Sequence, residues 1–553
     1  MIKISIKSET PKVIEVPAGT TLYNISKQCQ ADFKFPILAA TLNNVLANLS
    51  KKVFTDSVVE FFDRTSEVGN RVYSRSLEFL VTTSASLVLG PKSDVLVDYS
   101  LDNGIYCEVT NKTLSENIMH AIENKMLELV QRKIPYEFVP VTKLDAMDYF
   151  EKCGQIDKVE NLRYISNSTV KLHKIGTHYD YFFGPIAHDT GQTDIFKLTY
   201  LDQNSFIISY PNMKRPEDVA NYIHHQKLFE EYHRYQTWSR KVNLSLSSDL
   251  NKLGTLGKYN EAINLSETHY NDQLSLVAED INQKIDRVKL ILLSGPSSSG
   301  KTTTAKKLKI HLKVRGVTVH EISLDDYFID RDKTPKDENG NYDYANLKAL
   351  DLDLFNEHMQ KLLSGEEVLL PKYDFTKGKQ VFANDYLKLE QGDILLIEGI
   401  HTLNDELTKY VPRENKYKIY LSPLTPLKID NHNRVHTSDA RKLRRIVRDN
   451  NFRGTSAEET LKIWPNVMKE AEDNIYPYQD DVDMIINSAL NYEIGVLKIY
   501  AEPLLFAISE DSEFYPEANR LLTLLRNFLP ISSELVPPDS VLREFIGGSN
   551  IDY

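Results

Sequence analysis

The sequence predicts an α/β fold: a P-loop NTPase parallel sheet with helices on both faces over residues 288–500, preceded by two smaller mixed units. Three observations predict it. Short apolar runs (Val288–Leu293, Val317–Leu324, Ile394–Ile397, Tyr417–Leu421 and Met484–Ile486) alternate with helix-patterned stretches. Gly295, Pro296, Ser297, Ser298, Ser299, Gly300, Lys301 and Thr302 follow the first run in G-x-x-x-x-G-K-[ST] order, and Lys301–Val314 continues as a helix pattern. Asp393–Gly399 is an apolar strand pattern ending in an acid, Glu398. Gly295 and Gly300 let the chain curl so that successive N–H groups face an anion at the positive end of the helix. Lys301 adds a mobile charge for the β/γ-phosphates, and the Thr302 hydroxyl is a Mg²⁺ ligand candidate. The chain is read as binding a nucleoside triphosphate.

The 553 residues suit three or four domains of about 150 residues each. Residues 1–64 read as a small α/β module: Ile2–Lys7 and Val13–Val16 as hairpin arms, a helix sharing Leu22 and Ile25 on one face, and a later strand Val53–Phe62. This order resembles the TGS domain, a ubiquitin-like (β-grasp) fold associated with RNA or regulatory ligands. Eight Lys/Arg against six Asp/Glu give this segment little electrostatic hold on RNA. Residues 65–235 resemble the editing domain of threonyl- and alanyl-tRNA synthetases, an α+β unit. The resemblance puts that family's ligand positions at Arg75, Phe79, Phe182 and Ile186, none of which ligates zinc, so it implies a retained fold without metal chemistry. His173, His178 and His188 lie near the second stretch and are read as surface or core residues. Residues 236–287 read as a polar helical connector, with His224, His225 and His233 solvated on a nearby helix. Residues 331–341 read as a loop, and 501–553 as a helical tail that continues the apolar spacing Ile494, Leu497, Tyr500, Leu504.

Bulk properties narrow the classes. No run approaches the ~20 apolar residues of a membrane span, and the first residues form a strand pattern, not a signal peptide. Cys29, Cys107 and Cys153 are far apart, which suggests neither a disulfide framework nor a metal knuckle and fits a reducing cytoplasm. A net charge of −12 argues against general nucleic-acid affinity. Against it stands a basic stretch, Arg434–Arg453, with seven Lys/Arg and two Asp. Arg441, Arg444 or Arg445, and Arg448 recur at helical spacing, as a lid closing on phosphates requires.

Two further features separate phosphotransfer from other P-loop chemistry. Ser323-Leu-Asp-Asp-Tyr-Phe328 puts Asp325 at a strand's C-terminal edge, one crossover from the phosphate loop, where a hydroxyl nucleophile approaches. Asp326 has the weaker claim, since an aspartate there also caps the turn. Glu398 is in the Walker B position, near Mg²⁺ directly or through water.

Together with Pro371-Lys-Tyr-Asp-Phe375, Ile397-Glu-Gly-Ile400 and Arg444-Arg-Ile-Val-Arg-Asp449, these motifs resemble the uridine kinase and phosphoribulokinase family. The three-part layout resembles bacterial uridine kinase-like proteins with a synthetase-like N-terminal half. The resemblance implies Asp325 as base and Thr302 and Glu398 at the metal. It implies Asp343, in Asn341-Tyr-Asp, on the ribose hydroxyls, and Tyr373 on the base. Arg445 would reach the nucleoside, and Arg448 and Arg453 would close on the phosphates. One departure stands out. The base-reading histidine expected five residues after Tyr373 is Gly378, leaving Lys377 or Lys379 as substitutes or as contacts for an anionic acceptor. The resulting expectation is an ATP- and Mg²⁺-dependent cytoplasmic kinase, homo-oligomeric, phosphorylating the 5′-hydroxyl of uridine or cytidine. The alternatives are a kinase for a purine nucleoside or sugar phosphate, an RNA-associated regulatory ATPase, and a nucleoside sensor gating the kinase.

Overall fold

A computed structural model of the chain describes residues 1–8, 10–90, 93–101, 104–336, 340, 342–425 and 427–551. Asn341 of the expected ribose motif and residues 337–339 of the expected loop lie outside the described residues.

At the N-terminus, Ile2–Lys7 alternates buried and exposed residues, so Ile2, Ile4 and Ile6 face one side. It pairs antiparallel with Lys12–Val16 and parallel with Ser57–Phe62, in a five-stranded sheet crossed by the helix Leu22–Cys29. Leu22 and Ile25 are buried on that helix, and the Thr21 hydroxyl caps it by accepting from the Asn24 N–H. The strand expected over Val53–Phe62 is shorter. Asp56 accepts the Lys3 N–H at 2.8 Å and turns the chain, and Lys52–Val53 pairs instead with Thr20–Thr21.

Next comes a 23-residue helix, Glu67–Leu89, buried along most of its length against a four-stranded antiparallel sheet. This helix brings Arg75 and Phe79 to Phe182–Ile186: Phe79 and Phe182 pack with ring centroids 5.3 Å apart, and Arg75 Nη1 donates to Pro185 O at 2.7 Å. The three histidines go separate ways. His173 accepts the Phe182 N–H, His188 stacks on Tyr23, and His178 ends up beside Tyr149 and Asp180. His224 and His225 precede the helix Gln226–Lys241 instead of lying on it, and His225 meets Asp480 at 2.6 Å.

The C-terminal half holds five parallel strands in the order Val319–Ser323, Ile394–Glu398, Leu290–Ser294, Lys416–Ser422, Met484–Asn487. Alternation sends Leu290, Leu292 and Ile397 into one core layer with Phe355 and Met359. Ile291, Leu293 and Leu396 enter the opposite layer with Leu308 and Leu274. The stretch 236–287 is no loose connector: its helix Tyr259–Gln283 buries Tyr270, Leu274, Val277 and Ile281 in this second layer, a stripe its polar composition conceals. The tail joins the same layer through Val541, Leu542 and Phe545, and the helix Glu493–Phe506 runs across position 500.

A short hairpin, Lys428–Asp430 with Asn433–Arg434, leaves the sheet and enters the N-terminal half. There His432 lies between Asp180 (2.6 Å) and Asp94 (2.8 Å), and Lys158 between Asp180 (2.7 Å) and Asp430 (3.1 Å). The hairpin leads directly into the helix Thr437–Arg453.

Candidate active site

The all-buried strand Leu290–Ser294 ends at the phosphate loop, and Gly300 (φ +90°) turns the chain into the helix Lys301–Val314. Gly295 is required for a different reason: a Cβ there would lie 2.2 Å from Leu421 O on the adjacent strand. Ser298 also holds a positive φ (+62°), unusual for a residue with a side chain. Lys301 Nζ donates to Gly295 O at 2.9 Å, folded over the loop.

Asp325 is exposed in the short turn that follows the strand Val319–Ser323, yet protein crowds its carboxyl closely. Desolvation therefore raises its pKa, with Lys301 opposing and Asp326 adding to the rise. No hydrogen bond ties the Asp325 side chain among the described residues. Asp326 is occupied, accepting from the Tyr373 N–H (3.3 Å) and pairing with Lys372 (2.8 Å). Neighbouring aspartates are thus sorted into one free and one holding a hairpin.

Glu398 ends its strand beside Ser323, whose hydroxyl donates to it at 3.3 Å. Burial pushes its carboxyl up to about 7, with Lys301 lowering it and Asp325 and Glu544 adding to the rise. Thr302 is at the second helical position after Gly300, partly accessible. A half-buried carboxyl that feels Lys301 and is bonded only by the Ser323 hydroxyl among the described residues is of the chemistry that suits a divalent cation. Among the described residues no three His, Cys, Asp or Glu side chains come together as a metal-holding group.

The basic helix Thr437–Arg453 lies on the phosphate loop, and its arginines divide by depth. Arg441 and Arg444, 1% and 0% exposed, donate to loop carbonyls: Arg441 Nε to Ser297 O (3.1 Å), and Arg444 Nη1 to Ser298 O (3.4 Å). Arg444 is also ion-paired with buried Glu493. Arg445 Nη1 donates to Ser297 Oγ (2.6 Å), so it touches the loop as found here. Arg445, Arg448 and Arg453 gather around buried Asp449 at 3.0, 3.0 and 3.6 Å, and Arg453 remains mostly exposed.

On the acceptor side, Tyr373 is buried among Phe328 and Phe375. The Asp343 carboxylate accepts from the Ala345 N–H at 3.1 Å and contributes to the field at buried His401. Gly378 sits at φ +65° with Arg331 across it: a Cβ at Gly378 would be 2.7 Å from Arg331 Nε. Lys377 pairs with Asp374 (3.1 Å), and Lys379 begins an exposed strand.

Sequence reasoning missed four residues here. Glu470, raised mainly by burial, feels Lys301, Arg445 and Asp325. Glu544 accepts from Thr303 Oγ1 (2.7 Å) and the Thr303 N–H (3.3 Å), at the N-terminus of the loop helix. Arg331 and His401 complete the set. Only His401, immediately after Ile397-Glu-Gly-Ile400, carried a local signal.

Residues 290–494 match the phosphoribulokinase / uridine kinase family. The chain is 29% identical over 198 residues to a uridine kinase of Anoxybacillus flavithermus, covering 36% of this chain and 84% of that protein. It is 31% identical over 199 residues to a uridine kinase of Bacillus cereus, with 36% and 84% covered. It is also 28% identical over 200 residues to a threonine–tRNA ligase of Parabacteroides distasonis, 36% of this chain but 30% of that ligase. Through residues 290–494 the chain belongs to the phosphoribulokinase and uridine kinase family.

Proposed function

We propose that this kinase transfers the γ-phosphoryl group of ATP to the 5′-hydroxyl of a nucleoside, with uridine and cytidine the first candidates. The observation that carries the reading is Asp325: a carboxylate with no side-chain hydrogen bond among the described residues, just past its strand end, in the field of Lys301 and beside Asp326, which is tied down. Loop N–H groups and Lys301 hold the β- and γ-phosphates, and Asp325 accepts the hydroxyl proton as the hydroxyl attacks in line. Thr302 and Glu398 would hold Mg²⁺, which when bound spreads the charge on the transferring group. Arg445, Arg448 and Arg453 swing from Asp449 toward the phosphates and exclude water as the cleft closes. Asp343 orients the ribose and Tyr373 backs the base.

Arg331 favours a second acceptor class. It covers Gly378, where a base-reading side chain is absent, and its guanidinium suits an anionic acceptor such as a sugar phosphate.

For residues 1–235 we propose a TGS-like module followed by an editing-like domain with no zinc ligands. The ligase similarity and the meeting of Arg75 with Pro185 and of Phe79 with Phe182 support this reading.

The test is ADP release by the full chain with Mg²⁺ across nucleosides and sugar phosphates, alongside Asp325→Asn. One acceptor that raises turnover, yields its 5′-monophosphate and fails with the variant supports the reading. Turnover raised by RNA and by no small acceptor refutes it.

A further inference from the structure

We propose that the start of the lid helix is a second ligand site, separate from the phosphate loop, for a phosphomonoester with a planar body, a mononucleotide in size and chemistry.

A cavity of about 540 Å³ lies between the N-terminal half and the kinase half, lined by Tyr99, Tyr232, Tyr476, Arg434 and Ser438 among others. Its volume is within the range of small-molecule sites. One wall is the N-terminus of the 17-residue helix Thr437–Arg453. The residue before that helix, His436, gives it no side-chain cap, and the acid of its first turn, Asp439, is turned away into Arg520 (2.6 Å) and Arg71 (3.4 Å). The positive end of the helix therefore faces the cavity without a counter-charge of its own.

Two buried polar atoms in the lining have no partner. The Tyr99 hydroxyl belongs to a residue only 3% exposed, and Arg434 Nε is likewise unbonded although its Nη1 reaches Ser100. Such atoms cost stability unless something completes them. The other charges around the cavity are already used: Asp98 by Lys428 and Arg240, Lys214 by Glu472, His225 by Asp480. A second cavity of about 220 Å³ opens on the same residues, Arg434, His436 and Ser438, and extends to Arg71 and Arg75 with the carboxylates Glu67, paired with Arg71, and Glu78, which feels Arg434 and Arg75. The helix terminus and Arg434 supply phosphate recognition; Tyr99 is stacked between Tyr106 and Tyr232 and contributes its hydroxyl, and the partly exposed Tyr476 is the ring of the wall left to meet an aromatic body.

The position gives the site leverage. Arg434 ends the hairpin anchored in the N-terminal half, and four residues on from Thr437 the same helix places Arg441 on Ser297 O. A ligand bridging Arg434 and the helix start fixes the angle at which the lid leaves the hairpin, and so the seating of Arg441 and Arg445 on the loop.

The experiment is calorimetric titration of the full chain carrying Lys301→Ala, which weakens phosphate binding at the loop, with AMP, CMP, GMP and UMP. Two substitutions are then added separately. Ser438→Glu places a carboxylate at a helix start, where it favours the fold but repels phosphate. Tyr99→Phe deletes an unbonded hydroxyl, so the free protein keeps or raises its Tm. At least one mononucleotide binds with one-to-one stoichiometry, about tenfold or more weaker with Ser438→Glu and about three- to tenfold weaker with Tyr99→Phe. A fall in affinity with either substitution supports the site. A panel with no binder at millimolar concentration, or a binder whose affinity neither substitution lowers, overturns it. Lys301→Ala weakens binding at the loop, and the two added substitutions separate this cavity from the acceptor side around Asp343 and Tyr373, where a product mononucleotide binds with an affinity that neither of them changes.

Discussion

His432 makes the joint between the two halves pH-dependent, with a sign and size that follow from its surroundings. Burial alone would lower the imidazole pKa, but Asp180 and Asp94 on either side outweigh it and raise the value from 6.5 to about 10. The gap corresponds to on the order of 5 kcal/mol, at about 1.4 kcal/mol per pH unit. A histidine whose folded pKa exceeds its unfolded value contributes fully below the unfolded value and loses that contribution as pH rises through the folded one. Between pH 7 and 9 the chain therefore loses about 2–3 kcal/mol at this joint. On the acid side the same contacts hold Asp180 and Asp94 below the usual carboxylate range, so their contribution disappears as pH falls below about 4. Scanning calorimetry from pH 6 to 10 on the native chain and on His432→Gln measures the alkaline limb. The native Tm falls steadily with pH, while that of the variant starts lower and stays flatter, so that the curves converge. Parallel curves, or a His432 imidazole that titrates below pH 8 by ¹³C NMR, refute the reasoning.

Three other outcomes follow from particular contacts. Gly295→Ala drives a methyl into Leu421 O, and the chain loses about 1–3 kcal/mol of stability together with nucleotide binding, read by thermal shift and by titration with ATP. Arg444→Met strands Glu493 and costs about 3–5 kcal/mol in Tm-derived stability, and Arg444→Met with Glu493→Leu recovers most of it; no recovery would mean that the bonds to Ser298 O and Ser299 O dominate. Glu544→Gln removes a negative charge from the start of the loop helix and tightens ATP binding by about two- to fivefold, whereas weaker binding would make Glu544 a nucleotide ligand in its own right.

The sequence by itself determined the parallel sheet, the phosphate loop and the strand ends that present Asp325 and Glu398. These depend on local properties: a buried strand needs an unbroken apolar run, and a loop that folds its N–H groups onto an anion needs glycine at fixed offsets. It also separated Asp325 from Asp326 in rank, though the reason is tertiary: Lys372 and the Tyr373 N–H, nearly fifty residues away, take up Asp326. Only the folded chain decided which arginines of the basic helix are structural. Arg444 and Arg445 both fit the helical spacing from Arg441, yet Arg441 and Arg444 are buried on loop carbonyls and Arg445 is poised at Ser297 Oγ, because depth depends on what covers a helix and not on its own period. The same holds for Arg331 over Gly378, for Glu544 at the loop helix, and for the hairpin held by His432 and Lys158. Each contact joins residues dozens to hundreds of positions apart. A period or a motif reports the neighbours along the chain, while the charge and burial that set a side chain's chemistry come from neighbours that only folding supplies.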